Sequence, residues 1–451
     1  MTFIRKLFGE PRPSAAALTL AAPSAVALAA PSAVALASPS AVALSLLLAL
    51  ASPSAKAGPF SNQRNLLPGP RAAALGGAFV AIADDPSAVY WNPAGYSLME
   101  QAEVSISGIG FIQSSTSFDQ TLSDEPFVER AESLSPGFFG ASLRSGRLGL
   151  GYGFAALDER NVNQNDSFLG VDLVTGESVD YYRTYQEAST LSSAGLGISY
   201  LLTDWLSVGI SSAYYRRQSA VSNFQIVSET SGAFTTHNLK YETLNEGLLG
   251  TAGAILVAGK FRAGISYRYP YALANNTTVS DYTAESPGSS GLPGSENELT
   301  SFEGKSREMD EPGIRTYQMG VAWGEAGSLL VAADLIQHLV GASEKSRGLE
   351  TVNNYSVGLE AGAGGWIFRG GLFSNASLYP APKDDLSNQA TAIDFYGYSW
   401  GVAFSQKIRE FSVTYVKQSG SGSGQLVADS YSIQKVEGAL ANLLLSSRVF
   451  F

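Results

Sequence analysis

From residue 103 to the C-terminus, large apolar side chains return at every second position, and the residues between them are mostly Gly, Ser and Ala. Leu148, Leu150, Tyr152 and Phe154 alternate with Gly149, Gly151 and Gly153. Leu206, Val208 and Ile210 alternate with Ser207, Gly209 and Ser211, and Phe261, Ile265, Tyr267 and Tyr269 with Arg262, Gly264, Ser266 and Arg268. Tyr396, Tyr398, Trp400, Val402 and Phe404 oppose Gly397, Ser399, Gly401 and Ala403. A period of two belongs to β-strands, and no helical stripe interrupts it, so this part of the chain is all-β. A soluble sandwich buries its large face and shows Lys and Glu on the other. Here the second face is small. That arrangement fits a transmembrane β-barrel with large side chains toward lipid and small or polar ones toward a lumen, and closing the wall satisfies every strand edge that lipid cannot.

Short connections fall at Arg144-Ser145-Gly146, Thr203-Asp204, Ala258-Gly259, Glu325-Ala326-Gly327, Gly362-Ala363-Gly364 and Lys407-Ile408-Arg409, alternating with long polar stretches. Six short turns with both termini at the same end require fourteen antiparallel strands, with short turns on the periplasmic side and long loops outside. The longest loop is read over residues 272–311, and the run SGSGSG at 419–424 as another surface loop. Trp205, Trp366, Phe261 and Phe411 follow short turns and Trp323 precedes one, which places an aromatic girdle at one membrane interface.

Ahead of the strands, residues 69–99 form a segment of a different kind, GPRAAALGGAFVAIADDPSAVYWNPAGYSLM. It is too apolar for a solvated linker, and Gly76-Gly77 and two Asx-Pro steps prevent a long helix. Asp85-Pro86 and Asn92-Pro93 each set a capping side chain before a proline, predicting two short helical turns, from Pro86 to about Tyr90 and from Pro93 to about Tyr96. Asp84-Asp85 reads as a cap, since two adjacent carboxylates without further ligands make a poor metal site. This wording resembles the N-terminal hatch of the FadL/TodX family of outer-membrane channels for long-chain fatty acids and other hydrophobic compounds, with Asn92-Pro93-Ala94 matching that family's hatch motif. It is similar also to the PorV-like branch, which is linked to protein secretion. The resemblance implies fourteen strands, a hatch (plug) inside the lumen with Asn92, Pro93, Ala94, Asp84 and Asp85 at the gate, and an opening in the wall beside the third strand. Gly149, Gly151 and Gly153 fall there, and Asn92 is expected to hydrogen-bond to strand backbone near them or only to cap its own turn. Resemblance to other outer-membrane barrels makes the terminal Phe451 a signal for the barrel-assembly machinery.

The first 57 residues carry Arg5, Lys6 and Arg12, a Pro-Ser-Ala-Val-Ala-Leu repeat at Pro23, Pro31 and Pro39, and an apolar run too short to span a bilayer. Ala55-Lys56-Ala57 supplies a small-x-small cleavage site, so 1–57 is read as a signal peptide, 58–101 as the hatch and 102–451 as the barrel. Arg5, Lys6, Arg12 and Lys56 against Glu10 contribute +3 to the net charge of −11, leaving −14 and arguing against nucleic acid as partner. No cysteine is present, so there is no disulfide framework or thiolate site; His237 and His338, the only histidines, lack metal-ligand spacing and read as structural. Neither a catalytic set nor a cofactor motif can be assembled.

By the same alternation Arg262, Arg268, Asp334, Glu360 and Arg369 face inward, and so do Leu330, Ile336, Ile367, Phe373 and Phe395. The charged residues are expected to form buried ion pairs with one another. Apolar side chains inside a barrel either pack on a plug or line a path for an apolar ligand. With the resemblance, the reading is a monomeric, non-enzymatic outer-membrane transporter of a hydrophobic small molecule or lipid, released past the hatch, with a lateral exit as one of its routes. The alternative is a PorV-like barrel acting in secretion or surface attachment.

Overall fold

The computed structural model describes residues 62–119, 126–171, 178–229, 234–285, 298–306, 314–345, 348–384, 386, 389–425 and 433–451. The leader and its cleavage site, and the tip of the 272–311 stretch, lie outside these.

Fifteen strands follow in chain order: β1 (Glu103–Phe118), β2 (Phe127–Ser145), β3 (Leu148–Val171), β4 (Ser178–Thr203), β5 (Leu206–Glu229), β6 (Phe234–Ala258), β7 (Phe261–Glu285), β8 (Glu298–Ser306), β9 (Arg315–Gly324), β10 (Leu329–Leu339), β11 (Val352–Ala363), β12 (Trp366–Asn375), β13 (Ala392–Gln406), β14 (Arg409–Gly424) and β15 (Gln434–Phe450). Each pairs antiparallel with its neighbours, and β1 pairs with β15 from Glu103↔Phe450 to Phe118↔Val436, which closes the ring. β8 pairs only with the upper part of β7, while the lower part of β7 pairs with β9, so fourteen strands make the barrel. All six short turns fall where the sequence places them. At four of them the reversal runs through glycines with positive φ, among them Gly146 at 59° and Gly259 at 61°, as tight hairpins between right-twisted strands require.

The alternation sorts as expected. Leu150, Ile210, Ile265, Val321, Phe368 and Trp400 are exposed on the outer face, whereas Ser207, Ser211, Ser266, Ser399 and Thr414 are buried on the inner one. An apolar surface continuous around a wall suits lipid and would drive aggregation in water. Trp205, Trp323, Trp366, Phe261 and Phe411 are all about half exposed at the short-turn end, forming the girdle.

Two loop readings are corrected. The 272–311 stretch is largely hairpin, because β7 continues to Glu285 and Asn275–Thr283 pairs with β8. Ser419–Gly424 is strand, paired with β13 from Tyr396↔Ser419 to Ala392↔Ser423. The glycines there answer crowding, since a Cβ at Gly420 or Gly422 would collide with the Asp394 or Ala392 carbonyl. Strand length is also uneven: β3 to β7 run 24 to 26 residues, against 10 to 12 for β9 to β12. Crossing a bilayer takes about 9–11 residues, so half of the wall extends well beyond it.

Candidate functional site

Residues 62–99 pack against the inner face of the wall. α1 (Pro70–Ala74), a helix the sequence reading missed, touches β12 to β15, and the 3₁₀ turns Pro86–Val89 and Pro93–Leu98 touch β2 to β5. Both turns are capped as predicted: Asp85 accepts from the Ser87 amide (2.8 Å) and Asn92 from the Ala94 amide (3.2 Å). Asp84, however, is no cap. It pairs with Arg71 (2.6 Å) and Arg262 (3.1 Å). Burial alone would raise the Asp84 carboxyl, but the two guanidinium charges outweigh it and hold it below the usual carboxylate range.

Asn92 is fully buried, and its amide donates to the carbonyls of Val80 (3.0 Å), Ala254 (3.1 Å) and Ile265 (3.3 Å). It therefore caps its own turn and also reaches strand backbone, but on β6 and β7. The expected contact near Gly149 to Gly153 is not made. Those glycines make room for the segment instead: a Cβ at Gly149 would strike the Tyr96 backbone, at Gly151 the Tyr96 ring, and at Gly153 Val89. Pro93 and Ala94 lie in the second turn, whose carbonyl at Ala94 accepts from Ser207 Oγ (2.6 Å).

The ion pairs form a chain that only part of the sequence reading anticipated. From Arg262 and Asp84 it runs through Arg71 to Glu360 (3.0 Å), Arg369 (2.8 Å), Glu410 (3.1 Å), Arg448 (3.3 Å) and Glu103 (2.7 Å). Arg369 meets Glu360 as expected. Asp334 meets no arginine side chain within ion-pair distance among the described residues; it accepts the amides of Phe79 (2.6 Å) and Val80 (2.9 Å). Arg268 donates to the Tyr90 carbonyl.

The inward apolar residues divide between two duties. Leu330 and Phe373 join the core formed with Leu75, Phe79, Ile82 and Tyr96 of the N-terminal segment. Phe395 belongs to a separate cluster with Phe118, Phe127, Ile393 and Val436, and Ile367 is buried on β12. Ile336 faces a cavity of about 150 Å³, whose apolar wall includes Leu66, Trp91, Leu157, Leu191 and Leu249 and whose charged residues are Arg64, Asp158, Arg217 and Arg268.

One seam of the wall differs from the rest. Backbone pairing between β2 and β3 covers only Phe138↔Ala155 to Ser145↔Leu148, although β3 pairs with β4 through to Val171. Above Phe138, Pro136 brings no N–H to a ladder, and β3 shifts register between Ala156 and Asp158. Farther up, side chains bridge the strands: Gln164 donates to the Val128 carbonyl (2.9 Å) and Arg160 pairs with Glu129. Inside the wall at the level where pairing ends, a void of about 10 Å³, enough for about one water, lies between Leu66, Leu67 and Ala73 of the N-terminal segment, Gly137, Phe138 and Ala156 of β2 and β3, and Val416, Asn442 and Leu444 of β14 and β15. At the level of Gly149–Gly153, where the resemblance implied an opening, β2 and β3 are paired without a break.

The closed fourteen-strand barrel is similar in fold to solved channels of the FadL/TodX kind. The Pseudomonas putida toluene transporter TodX is 11% identical, with a TM-score of 0.56 over 85% of this chain and 99% of that one. The Ralstonia pickettii toluene transporter TbuX is 14% identical, also at 0.56, over 86% and 99%. A FadL homologue of Pseudomonas aeruginosa gives 11% and 0.56 over 86% and 99%. No family model matches the sequence, and no curated protein matches it.

Proposed function

We propose that this chain is a channel of the bacterial outer membrane that passes hydrophobic small molecules, from long-chain fatty acids to monoaromatic compounds, with residues 58–101 as its hatch and the β2–β3 seam as a lateral exit. The observation that carries this reading is the unpaired seam at Ala156 beside an interior lined by Leu66 and Leu67, which also face the 150 Å³ cavity. A hydrophobic ligand leaving there enters lipid without crossing water, and the lost backbone pairing is the cost of the passage. The void inside the wall at that level holds about one water, so release requires the Leu66-Leu67 stretch or the strand ends to move. Asn92, Pro93 and Ala94 hold the hatch to β5, β6 and β7, and Asp84 to Arg262, so these anchors lie on strands other than the two that form the seam. The protein works as a non-enzymatic monomer, assembled through its C-terminal Phe451, which stands exposed at the end of β15.

The test is Ala156→Phe. A ring in the gap at the end of the β2–β3 ladder is expected to stop uptake of a radiolabelled fatty acid or toluene while leaving the barrel folded, judged by different migration of boiled and unboiled protein in a detergent gel. Unchanged uptake by that folded variant overturns the lateral route.

A further inference from the structure

Of the three inward arginines that the alternation picks out, two have carboxylates: Arg262 has Asp84 and Arg369 has Glu360 and Glu410. Arg268 has none among the described residues, and its hydrogen bond goes to the Tyr90 carbonyl. Its side chain lines the 150 Å³ cavity, beside Thr316 of β9 and His338 of β10, since Arg268↔Thr316 and Thr316↔His338 are successive register pairs across β7, β9 and β10. Thr316 Oγ1 and His338 Nδ1 lie 3.2 Å apart, and His338 is buried. The cavity's acid, Asp158, is engaged elsewhere, accepting from Asn65 Nδ2 (3.3 Å). Of the other two cations around this space, Arg64 turns its guanidinium away to the carbonyls of Ser374 and Gly76 and the hydroxyl of Ser356, and Arg217 lies close enough to Asp158 for their charges to interact. Around the rest stand Leu157, Leu191, Leu249, Ile336 and Trp91.

A cation taken from water without a counter-charge is costly, and an arginine holds five N–H donors in a fork that matches a carboxylate. A cavity of this size matches, in general, a single aromatic ring and is too small for a long acyl chain. Resting on the channel reading above, we infer that the cavity is a binding site for a compact organic acid, a single apolar ring carrying one carboxylate, with the carboxylate on Arg268 flanked by Thr316 and the ring among the leucines. The channel then selects ring acids over neutral hydrocarbons of the same size and over long acyl chains.

The experiment measures equilibrium binding of benzoate, toluene and palmitate to the purified full-length protein in detergent, for the wild type, Arg268→Met and Arg268→Lys. Met keeps the length and removes the charge; Lys keeps the charge and loses the fork. Charge-assisted hydrogen bonds of this kind are worth roughly ten- to hundredfold in affinity. The wild type is expected to bind benzoate more tightly than toluene or palmitate. Arg268→Met is expected to lose that factor for benzoate and none for toluene, with Arg268→Lys falling between. Toluene or palmitate binding without benzoate, or benzoate affinity indifferent to Arg268→Met in a heat-modifiable barrel, overturns the inference and leaves the channel reading standing. Binding of none of the three overturns both.

Discussion

Asn92→Asp changes one buried atom and should unseat the N-terminal segment from the wall in a way that depends on pH. The native amide satisfies three carbonyls, of Val80, Ala254 and Ile265, while its own oxygen holds the Ala94 amide. Aspartate keeps the shape and the Ala94 bond but loses both N–H donors, at about 1 kcal/mol each, or about 2 kcal/mol in all. Its carboxylate would also face three carbonyl oxygens at a fully buried position, so the charged form is disfavoured and the folded-state pKa stands above the ordinary value of about 3.9. A folded acid with a raised pKa binds more protons than the unfolded one, so the added penalty is absent well below the ordinary value and grows as pH rises through the interval between the two. The variant is thus expected to lose about 2 kcal/mol of local stability at pH 4 and about 4 kcal/mol at pH 8. Hydrogen exchange of peptides covering residues 70–98 reads this as faster exchange through local opening, about thirtyfold at pH 4 and about a thousandfold at pH 8 relative to wild type at the same pH. Equal protection in the two proteins, or a difference that does not grow with pH, would refute the argument that Asn92 seats the segment on β6 and β7.

Glu360→Leu removes the centre of the ion chain but leaves Arg71 with Asp84 and Arg369 with Glu410, so the loss is that of charge-assisted hydrogen bonds, about 1.5–3 kcal/mol in denaturant unfolding, and a change below about 0.5 kcal/mol contradicts it. Adding Arg71→Met to that variant should recover part of the loss, which a double-mutant cycle measures directly. Gly151→Phe, at a position filled by the Tyr96 ring, should give a barrel whose residues 86–98 are cleaved by protease under conditions in which the wild type resists; resistance equal to wild type would mean that the Tyr96 contact carries no weight.

The barrel was legible because lipid and lumen impose opposite demands on alternate residues, as at Leu148 to Phe154, and that contrast disappears where both faces meet water. Residues 272–285 carry Asn, Thr and Ser on either face, so the extension of β7 reads as loop although it is paired throughout with β6. Ser419–Gly424 misled for a different reason: its composition is that of a turn, and only the crowding by β13 carbonyls shows why glycine stands in a strand. In the N-terminal segment the Asx-Pro steps are local signals and gave both capped turns. The partners of Asp84 and Asn92 are not local, since Arg262 and Ile265 lie more than 170 positions away and are brought near only by closure of the ring. Glu103, Glu410 and Arg448 escaped notice for the same reason, though charged residues at the inward ends of otherwise apolar strands were a usable signal. Arg268 was placed on the correct face, but that no carboxylate among the described residues pairs with it could be read only from the assembled barrel.

The central claim, that a hydrophobic molecule crosses the membrane through this barrel, is tested most directly by uptake of radiolabelled toluene, benzoate and palmitate into cells whose outer membrane lacks any other channel of this fold. Cells carrying the full-length chain are expected to show saturable uptake of at least one of these above cells carrying an empty vector. Uptake no faster than the empty vector, with the protein recovered from the same membranes as a heat-modifiable barrel, would contradict transport and favour a role in secretion or surface attachment.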